Sequence, residues 1–303
     1  VEVKVFNEHL GHNPDDVIKA LKGFDIIAMM RERTPFSRKV IEGLPDLKLL
    51  ITTGAANRSI DAAACAERGI TVCGTSSYGN PTTGITFGLM MELTRRIGFE
   101  NGRLKAGAPW QTTIGRDLEG LTLGILGLGK LGQWVAKYGQ AFGMNVIAWS
   151  QNLTAEYAAQ HGVKRVEKDE LFAQSDVVSV HLVLGERSRG IVGARELALM
   201  KPSAILINTA RGAIVDEPAL IDALRENRIA GAGLDVFTQE PLPDDSPLRS
   251  LPNVVLMPHQ GHNVQEVYEV AYADVVENIT AFLAGKPIRI LSPQMNASSV
   301  QAI

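Results

Sequence analysis

Cysteine is almost missing from these 303 residues: Cys65 and Cys73 are the only two, and no CxxC pair is present. A disulfide scaffold and a cysteine-rich metal centre are thereby excluded, and the two thiols suit a reducing, cytoplasmic setting. An excess of one charge is missing too, since the net charge is −3 with Lys and Arg spread along the chain. Nucleic acid and anionic membrane surfaces are bound through basic stripes, so neither is an expected partner. No apolar run reaches the roughly 18 residues that span a bilayer, and no stretch reads as a secretory signal. Internal repeats and low-complexity tracts are also lacking. What remains is 45% hydrophobic and 21% charged, an ordinary globular composition over a length that suggests about two domains.

Residues 121–152 organise the reading of the rest. An apolar run, 121–126, enters Gly127-Leu128-Gly129-Lys130-Leu131-Gly132, then a helix-compatible segment and a second apolar run, 144–149. In that strand, turn, helix and strand order each glycine has a task. Gly127 permits the tight turn, Gly129 lets backbone approach a pyrophosphate, and Gly132 lets helix and strand pack closely. Free N–H groups where the helix begins, at Lys130 and Leu131, then face the anion. The motif reads as a dinucleotide site, the alternative being a purely structural glycine turn.

Before this stretch, apolar runs at 1–6, 25–29, 47–52 and 70–73 alternate with helix-compatible segments at 15–21, 37–42 and 61–68. Such alternation predicts parallel βαβ units. Asp61 is the N-cap of the third helix and Gly69 its end. The cluster Tyr78-Gly79-Asn80-Pro81 marks a domain crossing. Residues 82–98 predict one helix, too apolar for a single narrow face; 101–120, with Pro109 and Trp110, predict a loop packed locally or reaching a second subunit. After the glycines, strands are expected at 163–166, 177–183, 204–208, 230–236 and 254–257, with helices at 194–200 and 216–226. With the two flanking the glycines, seven strands form one doubly wound sheet. A long helix over 264–283 leads away from it, back to the first domain.

In open α/β sheets ligands bind beyond the carboxyl ends of the strands. Three of those ends carry reactive groups: Thr209-Ala210-Arg211-Gly212, Asp235 through Glu240, and Pro258-His259. Arg can hold a carboxylate with its two-pronged guanidinium, and His can exchange a proton near neutral pH. A carboxylate beside the imidazole favours its protonated form, which is what an acid catalyst needs. A strand-capping His, a loop ion pair at Arg211 and a merely solvated Glu240 are the plain alternatives. His259 and His262 lack carboxylates at ligand spacing, so no metal is expected.

The glycine motif, Asn208-Thr209-Ala210-Arg211-Gly212, Gly233-Leu234-Asp235-Val236-Phe237 with Gln239-Glu240-Pro241, and Pro258-His259 together resemble the D-isomer-specific 2-hydroxyacid dehydrogenases. Thr53-Gly54-Ala55 and Ser59-Ile60-Asp61 extend the resemblance over nearly the whole chain. It implies an α/β protein with a doubly wound parallel-sheet Rossmann domain at 81–264. A smaller flavodoxin-like substrate domain would be discontinuous, at 1–80 and 265–303. It also implies a hydride passed between NAD(P)H and a small 2-keto acid of the glyoxylate, hydroxypyruvate or pyruvate kind, giving the D-2-hydroxy acid. Arg211 would bind the substrate carboxylate and carbonyl, His259 would protonate the carbonyl oxygen, and Glu240 would pair with His259. Gly54 and Ala55 would grip the carboxylate through backbone N–H groups, and Arg31 either lines the pocket or lies on the surface. Asp235 would hold the nicotinamide carboxamide. His181, Leu182, Thr209, Ala210 and Gly261 would complete the cofactor's surroundings. His262 stands where the family has a small residue and either alters the pocket or points outward. A homodimer is implied. The alternative is a nucleotide-sensing interaction protein of the corepressor kind, which resembles the same family and keeps the same residues.

The chain departs from the family pattern in two places. The family begins with one more strand and helix than precede residues 1–6, so a truncated or late-assigned start is expected, with the absent strand a central one. The second departure concerns the coenzyme. An acidic residue about 20 positions past the glycines binds the ribose 2′-hydroxyl in NAD-specific members; here stand Ser150, Gln151 and Asn152. These residues offer no carboxylate to repel a 2′-phosphate and no neighbouring Arg to attract one. Weak discrimination is the consequence: initial rates with NADH and NADPH are expected within about a hundredfold of each other, and a larger preference for NADH contradicts the reading.

Overall fold

A computed structural model describes residues 2–291. The chain divides into two compact units, Val1–Gly79 with Asn263–Ile303, and Asn80–His262. Residues 292–303 of the span assigned to the substrate domain lie outside the described residues.

The first unit runs α1 (Pro14–Leu21), β1 (Ile26–Met29), α2 (Arg38–Glu42), β2 (Leu49–Thr52), α3 (Ala62–Glu67) and β3 (Thr71–Cys73). Its strands form a parallel sheet in the order β1-β2-β3. Asp61 caps α3 by accepting the Ala64 N–H, and Gly69 comes just after with φ +67°. Residues 2–13 contain no strand, which corrects the reading of 1–6; Val1 itself lies outside the described residues. The alternation of Val and charged residues suits a half-buried strand, but no described strand pairs with it, and Val3 and Val5 stay exposed.

The second unit opens with α4 (Thr82–Arg95) and α5 (Ile97–Lys105). It continues as β4 (Thr122–Leu126), α6 (Lys130–Ala141), β5 (Asn145–Trp149), α7 (Ala155–Gln160), β6 (Lys164–Arg165), α8 (Lys168–Gln174) and β7 (Val177–Val180). Then come α9 (Ala194–Leu199), β8 (Ile205–Asn208), α10 (Glu217–Arg225), β9 (Gly231–Leu234) and β10 (Val254–Leu256). All seven strands are parallel, in the order β10-β9-β8-β7-β4-β5-β6. Strands β7, β8 and β9 are buried at every position, which is why they read as unbroken apolar runs rather than alternating ones. Helices cover both faces, and the core splits accordingly. One side gathers Phe172, Leu197, Leu220 and Leu224, the other Met90, Leu128 and Val135.

The helix expected over 82–98 is two helices. Arg96 adopts a left-handed φ of 51°, ending α4, and the Glu92 carboxylate accepts the Gly98 N–H at 2.6 Å, starting α5. The first residues of the expected loop at 101–120 are therefore helical, up to Lys105. Finally α11 (Gln265–Leu283) belongs to the first unit, where Val275, Ile279 and Phe282 pack on Leu49, Ile51 and Cys73. Its Asn278 donates to the Gly74 carbonyl, and Asp274 accepts the Ser76 N–H.

Candidate active site

The strand order reverses between β4 and β7, and a doubly wound sheet binds ligands in the crevice at that point. The two strand ends there lie against each other. Gly127, just past β4, has φ +108°, and a Cβ on it would lie 2.9 Å from the His181 carbonyl past β7. A Cβ on Gly132 would overlap the Gly127 carbonyl oxygen, so the first turn of α6 lies directly against the end of β4. This is the close approach that the glycine spacing anticipates. Lys130 is exposed and Leu131 partly so, at the N-terminus of α6 where Gly129 is the cap. Nitrogen Nδ1 of His181 is buried and finds no hydrogen-bond partner, while Nε2 and the Ser179 hydroxyl are 2.8 Å apart. Burial pushes the His181 pKa down to about 3, so the ring is neutral. An orphaned polar atom beside a glycine turn and a helix N-terminus fits a bound dinucleotide.

Beyond β8, Asn208 holds the loop that presents Arg211. Its amide donates to the Arg211 carbonyl at 3.1 Å and accepts the Ala210 N–H at 3.1 Å. Thr209 hydrogen-bonds to Thr86 of α4 through the two hydroxyls, 2.9 Å apart. Gly212 lies so close to the loop beyond β9 that a Cβ would overlap Phe237 backbone. That contact draws the Arg211 loop against the Glu240 loop. Arg211 is exposed, with Nη1 donating to the Ala210 carbonyl.

Glu240 and His259 meet. Nδ1–H of His259 donates to Oε2 at 2.6 Å, and the Phe237 N–H donates to Oε1 at 2.9 Å. Both side chains are about one-third exposed, His259 at 38% and Glu240 at 34%. Burial alone would raise the Glu240 pKa, but the bonds from His259 and Phe237 and the charges of His259 and Arg211 outweigh it and hold it below the ordinary value. A depressed carboxylate contributes stability above its ordinary range that is lost as pH falls through its lowered pKa. The pair therefore stays formed into mild acid.

His259 has φ 55°, a left-handed conformation that costs an L-residue roughly 1–2 kcal/mol. Asp235 holds it there: its two oxygens accept the Gln260 and Gly261 N–H groups at 2.7 and 2.8 Å. This bracing is a further job beside the expected one: the Asp235 carboxylate is buried, and each of its oxygens accepts one backbone N–H. Burial pushes its pKa up, against the lowering by those N–H groups and by His259. His262 does not point outward; its ring meets the His259 ring edge-on, with centroids 5.8 Å apart.

In the first unit Arg31 and Gly54 are brought together, as a Cβ on Gly54 would lie 3.0 Å from Arg31 Nη1. Arg31 is itself left-handed at φ 43°, its N–H donating to Thr53 Oγ1 and its carbonyl accepting from Asn57 Nδ2. Gly54 is buried and its N–H already donates to Thr75 Oγ1 at 2.8 Å; Ala55 is exposed. Sequence patterning could not show the Thr75 bond, which joins positions 21 residues apart.

The fold and these groups define a dinucleotide-dependent oxidoreductase with an imidazole-carboxylate pair. The profile described as D-isomer specific 2-hydroxyacid dehydrogenase, NAD binding domain, matches residues 87–261. A D-3-phosphoglycerate dehydrogenase of Methanocaldococcus jannaschii is 37% identical over 280 residues, 91% of this chain and 53% of that protein. The chain thus spans about half the length of that relative. A glyoxylate reductase of Korarchaeum cryptofilum is 36% identical over 278 residues, 89% of this chain and 83% of the relative. A phosphoglycerate oxidoreductase from Vibrio cholerae o395 superposes with a TM-score of 0.87 at 35% identity, covering 93% of this chain and 91% of that one. The chain belongs to the D-isomer-specific 2-hydroxyacid dehydrogenases, and its coenzyme is a nicotinamide dinucleotide.

Replacing Asp235 by Asn leaves one good acceptor and sets an amide NH2 against a backbone N–H. Asp235→Asn is expected to cost about 1–3 kcal/mol of stability and, by displacing His259, to lower turnover by about a hundredfold. Melting curves and steady-state rates measure both, and unchanged turnover contradicts the bracing role.

Proposed function

We propose that the protein reduces small 2-keto acids of the glyoxylate, hydroxypyruvate or pyruvate kind to D-2-hydroxy acids with NADH or NADPH. The observation that carries this reading is the 2.6 Å bond from His259 Nδ1 to Glu240. It commits one ring nitrogen and leaves Nε2 to deliver a proton. In the proposed reaction Arg211 holds the substrate carboxylate and carbonyl oxygen, and His259 Nε2–H protonates that oxygen. Glu240 fixes the ring and balances the imidazolium charge. The bound nicotinamide supplies the hydride to the carbonyl carbon. Gly127, Gly129, Lys130, Leu131 and Gly132 would hold the pyrophosphate and Ser150 the ribose. His181, Leu182, Thr209, Ala210 and Gly261 would enclose the nicotinamide half, and Ala55, Gly54 and Arg31 would belong to the substrate side.

A panel of 2-keto acids with both coenzymes tests the reading. Turnover of at least one small member is expected, with His259→Ala reduced by about a thousandfold while NADH still binds. Near-normal reduction by His259→Ala means that another group is the acid. Reduction consumes a proton from His259 and oxidation returns one, so raising the pH should slow reduction and favour oxidation. Because Glu240 is held below the ordinary glutamate value, any acid limb from it is expected on the acid side of that value.

We further propose that the molecule works as a homodimer through α5 and the segment after it. Ile97, Phe99, Leu104, Trp110 and Ile114 are all exposed there, Trp110 at 76% and Ile114 at 100%. Large apolar side chains left exposed together along one short stretch of chain suit an association surface. Light scattering should give twice the chain mass, and Trp110→Ala with Ile114→Asp should halve it; a monomeric starting protein contradicts the proposal.

A further inference from the structure

The residues just past β5 carry no charge, yet a cation is held against them. Ser150 and Leu153 close the turn there, with the Leu153 N–H donating to the Ser150 carbonyl at 3.0 Å. Strand β6 lies along β5 at the sheet edge with Ala148 opposite Arg165, and the Val166 N–H donates to the Ala148 carbonyl at 3.0 Å. That register carries the Arg165 side chain onto the turn. Its Nε donates to the Leu153 carbonyl at 3.0 Å, and its Nη1 donates to Glu167 Oε1 at 2.7 Å. Arg165 is 32% exposed at its side chain and Glu167 67%. The guanidinium is therefore fixed at Nε by backbone, while its outer nitrogens meet only the exposed Glu167 carboxylate.

In a doubly wound sheet the end of the second strand of the nucleotide unit receives the adenosine ribose. A carboxylate there selects the 2′-hydroxyl, and an Arg nearby accommodates a 2′-phosphate. We propose that Arg165 is the residue that admits NADP, its Nε anchored on the Leu153 carbonyl and its outer N–H groups offered to the 2′-phosphate. The inference rests on reading the glycine turn as the dinucleotide site. Glu167 is the counter-ion in the absence of that phosphate. An ion pair so exposed is worth little, so a dianionic phosphate that takes two parallel bonds from the guanidinium displaces it readily. NADH, with a hydroxyl in the same place, gains nothing from Arg165.

The competing role is a purely structural strap on the turn, and direct binding separates the two. NADPH, NADH, 2′,5′-ADP and 5′-ADP are titrated into the whole protein by calorimetry, with wild type, Arg165→Gln, Arg165→Lys and Glu167→Gln. Arg165→Gln should weaken NADPH and 2′,5′-ADP by about tenfold or more and leave NADH and 5′-ADP within about twofold. Arg165→Lys should restore only part of the difference, since an ammonium cannot make the two parallel bonds, and Glu167→Gln should tighten the two 2′-phosphorylated ligands alone. Equal weakening of all four by Arg165→Gln, or no weakening of any, overturns the proposal in favour of the strap. A wild type that binds NADH but not NADPH overturns it and leaves the dinucleotide site standing; one that binds neither removes both.

Discussion

A single buried carboxylate braces the loop that carries His259. Asp235 stands at the end of β9, and its two oxygens take the N–H groups of Gln260 and Gly261, the two residues after His259. That pair of bonds helps hold His259 at φ 55°, together with its N–H on the Met257 carbonyl and its ring on Glu240. The bonds do more than offset local strain. They tie the end of β9 to the end of β10, and Glu240, a few residues past Asp235, then meets His259 from the same loop. Bracing and ring pairing thus come from two carboxylates on one stretch of chain. The carboxylate that braces the loop is shut away from solvent, while the one that pairs with the ring is partly exposed and held ionised.

Glycines perform the complementary task of letting backbones meet. A side chain on Gly212 would collide with Phe237, so the Arg211 loop could not lie against the Glu240 loop. One on Gly132 would collide with the Gly127 carbonyl, lifting α6 off the end of β4. These are two different approaches with one physical rule: where strand ends must converge on a ligand, the space that side chains occupy elsewhere is given to backbone.

The same constraint of burial explains why so much could be read from the chain alone. All seven strands of the larger sheet were legible because its central strands, buried on both faces, form unbroken apolar runs, and Asp61 and Gly69 announced the ends of α3 by their chemistry. The break at Arg96 was not legible. A left-handed Arg has no sequence signature, and the cap that begins α5 comes from Glu92, on the preceding helix. Helices α7 and α8 went unread, although α2, α3 and α9, of five or six residues each, were legible. At the site, Arg211, Glu240 and His259 stood out because each lies just beyond a strand. The bracing by Asp235, the Thr75 hydroxyl on Gly54 and the turn of His262 toward His259 depend on distance and direction, which spacing along the chain does not encode.

Coenzyme choice shows the limit most clearly. Ser150, Gln151 and Asn152 look neutral in sequence because the local rule considers only the residues at the tip of the second strand. A sheet, however, sets each strand end beside its neighbours' ends. With Ala148 opposite Arg165, a residue on the next strand reaches the same turn, and a one-residue shift in that pairing would send its side chain to the other face. The charge held against this turn is thus a property of the β5–β6 register rather than of the loop. A loop stripped of its carboxylate does not by itself make a phosphate site; it stops repelling one, and the edge strand decides whether anything attracts it.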